Sequence, residues 1–300
     1  MPKIFREYIG VKPYSKSLRD FPINIINSNI SEFHFILGFA SEEYDDKKRG
    51  TGVFKTTWNV EFFGPEDVKR LKENNKNVKV VISFGGCDEK TPFNPAEDNI
   101  WTEKAVASLK VIILRFKDQS GRSIIDGIDI NYEHILTSVD KDRCRFAECL
   151  GQVITDLKKD RDLNINVVSI APSEQNDSHY RKLYWENKDN INLVDYKLYN
   201  QTKIVQTSEE FVKLYSKIAN DYSPEKFLPG ISTDPGDTEP ADKIIKMPRE
   251  IFIAGCKHLM QYSTLPGIFL WNAHDSVVPP SGETKPFLLE DILQSLLLVT

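Results

Sequence analysis

The sequence predicts an α/β protein built as a single (β/α)8 barrel over residues 1–300. Eight short apolar runs of strand-like composition recur along the chain, and a stretch of helical periodicity follows most of them. A length of 300 residues is also usual for one barrel of this type. The eight predicted strands cover residues 4–10, 32–40, 78–85, 124–133, 165–171, 193–199, 226–232 and 266–272.

The segments between the strands carry helix signals. Gly64-Pro65 opens a predicted helix over 65–75, and Thr207-Ser208-Glu209-Glu210 has the pattern of a capping box before 209–220. After the fourth strand, apolar residues recur at the spacing that a helix needs to pack on a barrel wall. These residues are Phe146, Cys149, Leu150, Val153, Ile154 and Leu157.

The main alternative architecture is an open, doubly wound sheet. That fold would place a phosphate-binding glycine turn directly after the first strand. The chain reads Tyr8-Ile9-Gly10-Val11-Lys12-Pro13 there, without the G-x-G-x-x-G pattern. The closed barrel is therefore preferred.

Two polar stretches are predicted as loops at the carboxyl ends of strands. The run from Ser41 to Lys48 is expected to be a solvated loop after the second strand, and Asp234 to Pro240 a loop after the seventh. Cys87 follows the third strand, where we expect it to act as a small apolar plug.

The composition excludes several classes of function. Hydrophobic residues at 40%, charged residues at 28% and a mean hydropathy of -0.39 are typical of a soluble globular protein. A net charge of -5 leaves no basic field for nucleic acid, and no apolar run could span a membrane. Residues 1–7 lack the apolar run of a secretory signal, so we expect a cytoplasmic protein. We also expect the protein to be a monomer.

The cysteines and histidines predict neither cross-links nor a metal centre. Cys144 and Cys149 fall on one predicted helix, while Cys87 and Cys256 lie far away, so all four are expected to be free thiols. The five histidines are scattered, and His134 falls on the outward face of the fourth strand. We therefore expect no metal and no cofactor.

The predicted site lies on the fourth strand. From residue 128 onward apolar and polar residues alternate, so Asp129, Asn131 and Glu133 share one face. Because the apolar face must meet the surrounding helices, the polar face turns into the barrel, and Glu133 reaches the carboxyl end where barrel active sites lie. Burying unpaired carboxylates is costly. A functional use is therefore favoured over a hydrogen-bond network that merely closes the barrel.

At this strand the chain resembles the family 18 glycoside hydrolases. Their pattern Asp-x-x-Asp-x-Asp-x-Glu reads Asp126-x-x-Asp129-x-Asn131-x-Glu133 here, with an amide in place of one carboxylate. Ser83-Phe84-Gly85-Gly86 matches the Ser-x-Gly-Gly signature that ends the family's third strand. Trp271 ends the eighth strand, where the family places the floor of a sugar subsite.

The sequence around these motifs resembles two branches of this family. Tyr132-Glu133-His134, Leu198-Tyr199-Asn200 and Leu270-Trp271 resemble the plant hevamine-type chitinases. Nearly the whole chain, including the segments 6–13 and 168–174, resembles the narbonin-type legume seed proteins, which share the fold and are regarded as lacking chitinase activity.

The resemblance implies substrate-assisted hydrolysis, in which the sugar's 2-acetamido carbonyl attacks the anomeric carbon while an acid protonates the departing oxygen. Glu133 matches that acid. The family's Asp at the position of Asn131 offsets the positive charge of the intermediate. Asn131 carries no charge, and it removes a like charge that would favour the protonated form of Glu133. Tyr199 matches the tyrosine that hydrogen-bonds the acetamido carbonyl.

Lys197 stands where the hevamine-type enzymes carry Gln. We expect its ammonium group to pair with Glu133 and keep the carboxyl group ionised. Trp271 and Tyr199 could instead fill the core or line the barrel mouth, and the glycines after Ser83 could simply form a tight strand exit. The remaining assignments place Asp129 in the catalytic set, Tyr8, Ser83, Gly85, Gly86 and Lys197 in substrate binding, and Asp126 in a structural role.

Three functions remain open. The first is a catalytically silent, narbonin-like protein with a reserve role, which Asn131 and Lys197 favour. The second is a lectin-like binder of N-acetylglucosamine oligomers that uses Trp271, Tyr199 and Tyr8. The third is a weak chitinase or lysozyme-type hydrolase with Glu133 as its acid.

Overall fold

The barrel expected from the sequence is present in the computed structural model, which describes residues 2–11, 18–135, 139–199, 201–203, 205–234, 247–262, 264–277 and 285–299. Its strands are β1 (Ile4–Ile9), β2 (Glu32–Tyr44), β3 (Gly50–Thr56), β4 (Val78–Gly86), β5 (Gly127–Tyr132), β6 (Val167–Ile170), β7 (Leu193–Tyr196), β8 (Phe227–Ser232) and β9 (Gly267–Trp271). All except β3 run parallel, and β1 pairs with both β2 and β9. The protein is therefore a closed (β/α)8 TIM barrel.

The helices lie outside the sheet, as α1 (Pro65–Asn74), α2 (Asp98–Ile113), α3 (Asp140–Lys159), α4 (Asp177–Asn187), α5 (Ser208–Asp221), α6 (Arg249–Gln261), α7 (Ala273–Ser276) and α8 (Leu288–Leu297). The apolar stripe predicted on α3 is buried. The amide of Glu210 donates to Thr207 Oγ1 at 3.2 Å, which confirms the predicted cap of α5. Among the described residues, no helix has the length and apolar character that crossing a membrane requires.

The two faces of each strand meet different surroundings. On β5, Ile128, Ile130 and Tyr132 are buried in the large apolar core between sheet and helices. Asp129 and Asn131 alternate with them and point into the barrel, as the sequence predicts. A smaller apolar cluster lies on the inward faces, and it includes Ile36, Val81, Val167, Leu193, Leu228 and Phe269.

The prediction of a solvated loop over residues 41–48 is wrong for residues 41–44, which continue β2, and is confirmed for residues 45–48, which form an accessible turn. The chain then returns as β3, which pairs with β2 antiparallel. The polar composition of the segment concealed a strand, because its acidic residue Glu42 is buried rather than solvated. Of the loop predicted from Asp234 to Pro240, residues 235–240 lie outside the described part of the chain.

Glu42 connects the β2–β3 hairpin to the rest of the barrel. Its carboxylate accepts hydrogen bonds from the Gly52 amide at 2.9 Å, from the Tyr132 hydroxyl at 2.8 Å and from the indole N–H of Trp101. Burial raises the pKa of Glu42, whereas these donors lower it. Since Tyr132 lies between Asn131 and Glu133, this network also fixes the end of β5.

We expect the substitution Glu42→Gln to reduce the free energy of unfolding by about 1–3 kcal/mol, because the new amide N–H groups would face existing donors. Glu43→Gln is the matched control, since Glu43 is 43% exposed and only pairs with Lys55 at the surface. Urea unfolding gives the free energy of unfolding of both variants. Equal effects of the two substitutions would contradict the buried network.

Candidate active site

Asp129 is the centre of a buried hydrogen-bond network inside the barrel. Its Oδ2 accepts from the hydroxyls of Tyr8 at 2.8 Å and Ser83 at 2.7 Å, and its Oδ1 accepts from Ser169 at 2.6 Å. Burial, followed by the neighbouring carboxylates, raises the pKa of Tyr8 and keeps its hydroxyl protonated as a donor. Three donors stabilise the buried carboxylate, so Asp129 is a satisfied part of the site.

A second charged layer lies beneath Asp129. Arg6 donates to Ser169 Oγ at 2.8 Å, and its Nε lies 3.2 Å from Asp195 Oδ2, with both side chains fully buried. Burial raises the pKa of Asp195 to about 7, although Arg6 opposes the shift. Arg6, Asp195 and Ser169 were not predicted as site residues from the sequence. Arg6 lies two residues before Tyr8, and Asp195 two residues before Lys197, so each pair shares the inward face of its strand. This spacing could have identified them from the sequence.

Lys197 joins the two residues at the carboxyl end of the site. It directly follows β7, and its side chain is fully buried. Its Nζ donates to Glu133 Oε1 at 2.6 Å and to Asn131 Oδ1 at 2.6 Å. The ion pair expected between Lys197 and Glu133 is therefore present. The Glu133 side chain is 22% exposed, so solvent reaches the ion pair from the side of Glu133, whereas Lys197 is fully buried in the barrel.

The contact with Lys197 fixes the orientation of the Asn131 amide. An ammonium group only donates hydrogen bonds, so the amide must turn its oxygen toward Lys197. Asn131 Nδ2 is buried, and it has no partner among the described residues. The position that carries a carboxylate in the family pattern thus presents a single uncharged amide oxygen in this protein, and that oxygen accepts from Lys197.

An aromatic cluster lies beside these polar groups. The Trp271 ring is partly exposed, 5.0 Å from the Tyr8 ring and 6.0 Å from the Phe39 ring between centroids. Phe39 was not predicted from the sequence. Tyr199 is only 5% exposed, and its ring lies 6.3 Å from that of Phe269. Trp271 is therefore the aromatic residue of this group with the largest accessible surface.

The glycines that end β4 allow this strand to approach β5 closely. Gly85 has a φ of +107°, and a Cβ atom there would lie 2.6 Å from the Asn131 carbonyl oxygen. Gly85 and Gly86 thus shape the backbone next to Asn131 and Glu133. Cys87, which follows them, is exposed, so the prediction of an apolar plug is wrong. All four cysteines are free, as expected.

Asp126 is the one predicted residue that lies apart from the site. Its carboxylate accepts from Lys72 Nζ at 2.7 and 2.8 Å and from the Val80 amide at 2.8 Å. These contacts join the start of β5 to α1 and β4, at the end of the strand opposite to Glu133. They are consistent with the structural role that the sequence analysis assigned to this aspartate.

Comparison with known proteins identifies the family. Residues 27–238 match the profile of the glycosyl hydrolases family 18. The chain belongs to this family. It is 35% identical over 285 residues to Chitinase 1 of Tulipa saxatilis subsp. bakeri, an alignment that covers 92% of this chain and 82% of the relative.

Two solved structures of family 18 chitinases are similar to this chain. The catalytic domain of the chitinase from the fern Peteris ryukyuensis gives a TM-score of 0.81 at 31% identity, covering 98% of this chain and 99% of that chain. The chitinase of Crocus vernus gives 0.81 at 30% identity, with the same coverage. The protein is therefore a chitinase-like member of family 18.

Removing the carboxylate of Glu133 should destabilise this protein. We expect Glu133→Gln to cost about 1–3 kcal/mol, because it leaves the buried ammonium of Lys197 without its counter-ion. This loss of unfolding free energy is smaller than for a fully buried ion pair, because solvent screens the exposed part of Glu133. Lys197→Gln should also be destabilising, and the double variant should lose less stability than the sum. Urea unfolding of the four proteins measures this coupling, and additive losses would contradict the ion pair.

Proposed function

We propose that this protein is a family 18 member with little or no glycosidase activity. The observation that carries the proposal is the position of Lys197 Nζ, 2.6 Å from both Glu133 Oε1 and Asn131 Oδ1. A general acid must hold a proton that it can give to the departing oxygen. Because Oε1 of Glu133 accepts from the ammonium group of Lys197, this oxygen is engaged in an ion pair instead of being directed at a departing group.

Asn131 opposes turnover for an independent reason. Substrate-assisted hydrolysis passes through a positively charged intermediate, which a carboxylate at this position would stabilise. Asn131 supplies no charge, and its amide oxygen accepts a hydrogen bond from Lys197. The residues at both of these positions thus contact Lys197. A reserve role like that of the narbonin-type seed proteins fits a silent site, and this part of the proposal rests on sequence resemblance alone.

Restoring the family pattern should create activity. The double variant Asn131→Asp/Lys197→Gln regains a carboxylate and frees Glu133, so we expect it to cleave N-acetylglucosamine tetramers that the unmodified protein leaves intact. Asn131→Asp alone should stay silent, because Lys197 would then pair with two carboxylates. Chromatography of the products measures cleavage.

The control for this experiment adds Glu133→Gln to the double variant, which should abolish the gained activity. Cleavage by the unmodified protein that disappears in Glu133→Gln would contradict the proposal. That result would favour the alternative of a weak chitinase or lysozyme-type hydrolase.

A second candidate function is the binding of N-acetylglucosamine oligomers without cleavage. The observation that favours it is the accessible ring of Trp271, supported from behind by Tyr8 and Phe39. Aromatic faces of this kind pack against the apolar faces of sugar rings. Neither Glu133 nor Asn131 needs to react for such binding.

For this candidate we expect Trp271→Ala to weaken the binding of N-acetylglucosamine tetramers at least tenfold, an affinity change that corresponds to about 1.4 kcal/mol. Trp185→Ala is the matched control, because Trp185 is 52% exposed on α4, away from the barrel mouth. Isothermal titration calorimetry measures both. Unchanged affinity in Trp271→Ala, or no binding by the unmodified protein, would reject a lectin-like function at this site.

A further inference from the structure

Lys197 brings an amine into contact with a side-chain amide inside the barrel. Its Nζ lies 2.6 Å from Asn131 Oδ1, although the two residues are 66 positions apart in the sequence. Lys72, by contrast, contacts the carboxylate of Asp126. An amine next to a carboxamide is the pair of reactants from which an amide bond between two side chains can form.

The amide carbon of Asn131 is close to the lysine nitrogen. A carbonyl bond is about 1.23 Å long, so Lys197 Nζ lies at most about 3.8 Å from Asn131 Cγ. Reacting atoms in a near-attack arrangement are about 3–3.5 Å apart. A small torsion of either side chain therefore brings the nitrogen onto the carbon. Fixed proximity of this kind corresponds to an effective concentration of about 10⁵–10⁸ M in well-oriented reactions.

Glu133 supplies the proton acceptor that the reaction requires. An ammonium group has no lone pair, so it must lose a proton before it can attack a carbonyl carbon. Glu133 Oε1 lies 2.6 Å from Lys197 Nζ and can take that proton directly along the hydrogen bond. The transfer converts an ion pair into two neutral groups, and burial penalises neutral groups less than charged ones.

The surroundings favour attack by the amine over hydrolysis. Asn131 and Lys197 are both fully buried, so water does not compete as the nucleophile. Asn131 Nδ2 has no hydrogen-bond partner among the described residues. No contact within that part of the chain therefore holds the nitrogen atom that must leave.

We propose that Lys197 and Asn131 form an intramolecular isopeptide bond, with Glu133 as the acid–base group. Glu133 takes one proton from the ammonium group, and the amine attacks Asn131 Cγ. The bond from Nζ to Cγ forms, and the bond from Cγ to Nδ2 breaks. Nδ2 receives one proton from the attacking nitrogen and one from Glu133. It leaves as an ammonium ion, and Glu133 is ionised again.

The ion pair is the state from which this bond forms, and freshly folded protein holds it. Amides are weak electrophiles because resonance stabilises them, so the product accumulates slowly. It joins the end of β5 to the segment that follows β7. The reaction needs no sugar and does not depend on the proposed loss of glycosidase activity, so the two proposals are tested by different measurements.

Mass spectrometry of the folded protein during a long, warm incubation tests the proposal. We expect a progressive loss of one ammonia, about 17 Da per molecule. Trypsin should then release residues 123–141 linked to residues 189–203, because the joined lysine is no longer a cleavage site. Protein incubated unfolded in guanidinium chloride should give no linked peptide, since only the fold brings the two side chains together.

Three variants serve as controls. Lys197→Gln removes the nucleophile and should give no linked peptide. Glu133→Gln removes the proton acceptor and should slow formation of the bond about 10²-fold. Lys79→Gln is the matched control, because Lys79 pairs with Glu32 and contacts no residue of this group, and it should react at the rate of the unmodified protein.

Absence of the linked peptide from the unmodified protein after several weeks would overturn the proposal, and this result does not require any variant to fold. Fragmentation that places the bond on Glu133, with loss of one water of about 18 Da, would also contradict it. A loss of ammonia that persists in Lys197→Gln would show that the reaction does not use this lysine.

Discussion

The ammonium group of Lys197 lies inside the barrel, in contact with the Glu133 carboxylate and the Asn131 amide. A buried lysine requires a counter-ion and hydrogen-bond acceptors, because an uncompensated buried charge is strongly destabilising. Glu133 supplies the charge, and Asn131 supplies an acceptor without adding a second negative charge. The properties of the site follow from this requirement. The residues at the two positions that match the family's acid and its neighbouring aspartate both contact this cation.

The rest of the barrel interior is arranged in the same way. Arg6 neutralises Asp195, and three hydroxyl groups satisfy Asp129. Asp195 is influenced by both cations, so the lower layer and the Lys197 layer are electrostatically coupled. Polar groups at this depth stabilise a fold only when they are paired. The interior therefore holds two groups of paired polar side chains beside the apolar cluster, and Glu133 of the upper group reaches solvent.

The sequence predicted the barrel and the inward face of β5, because strand alternation is a local property of the chain. The pairing of Lys197 with Glu133 was also predicted, because the family resemblance shows a lysine at the position where the hevamine-type enzymes carry Gln. The β2–β3 hairpin was missed because the buried Glu42 accepts from three donors outside its own strand, Gly52, Trp101 and Tyr132, and composition alone cannot show these contacts. Arg6 and Asp195 were overlooked for a similar reason, as their partnership joins strands on different parts of the barrel.

The most direct test of this account is NMR spectroscopy of the lysine side-chain ammonium groups. We predict one ammonium signal at neutral pH that exchanges slowly with water, disappears in Lys197→Gln, and shows contacts to the side chains of Glu133 and Asn131. Ammonium groups at the surface exchange too fast to give such a signal. Absence of a protected signal in the unmodified protein, or contacts of Lys197 with other residues, would contradict the claim that Lys197 holds Glu133.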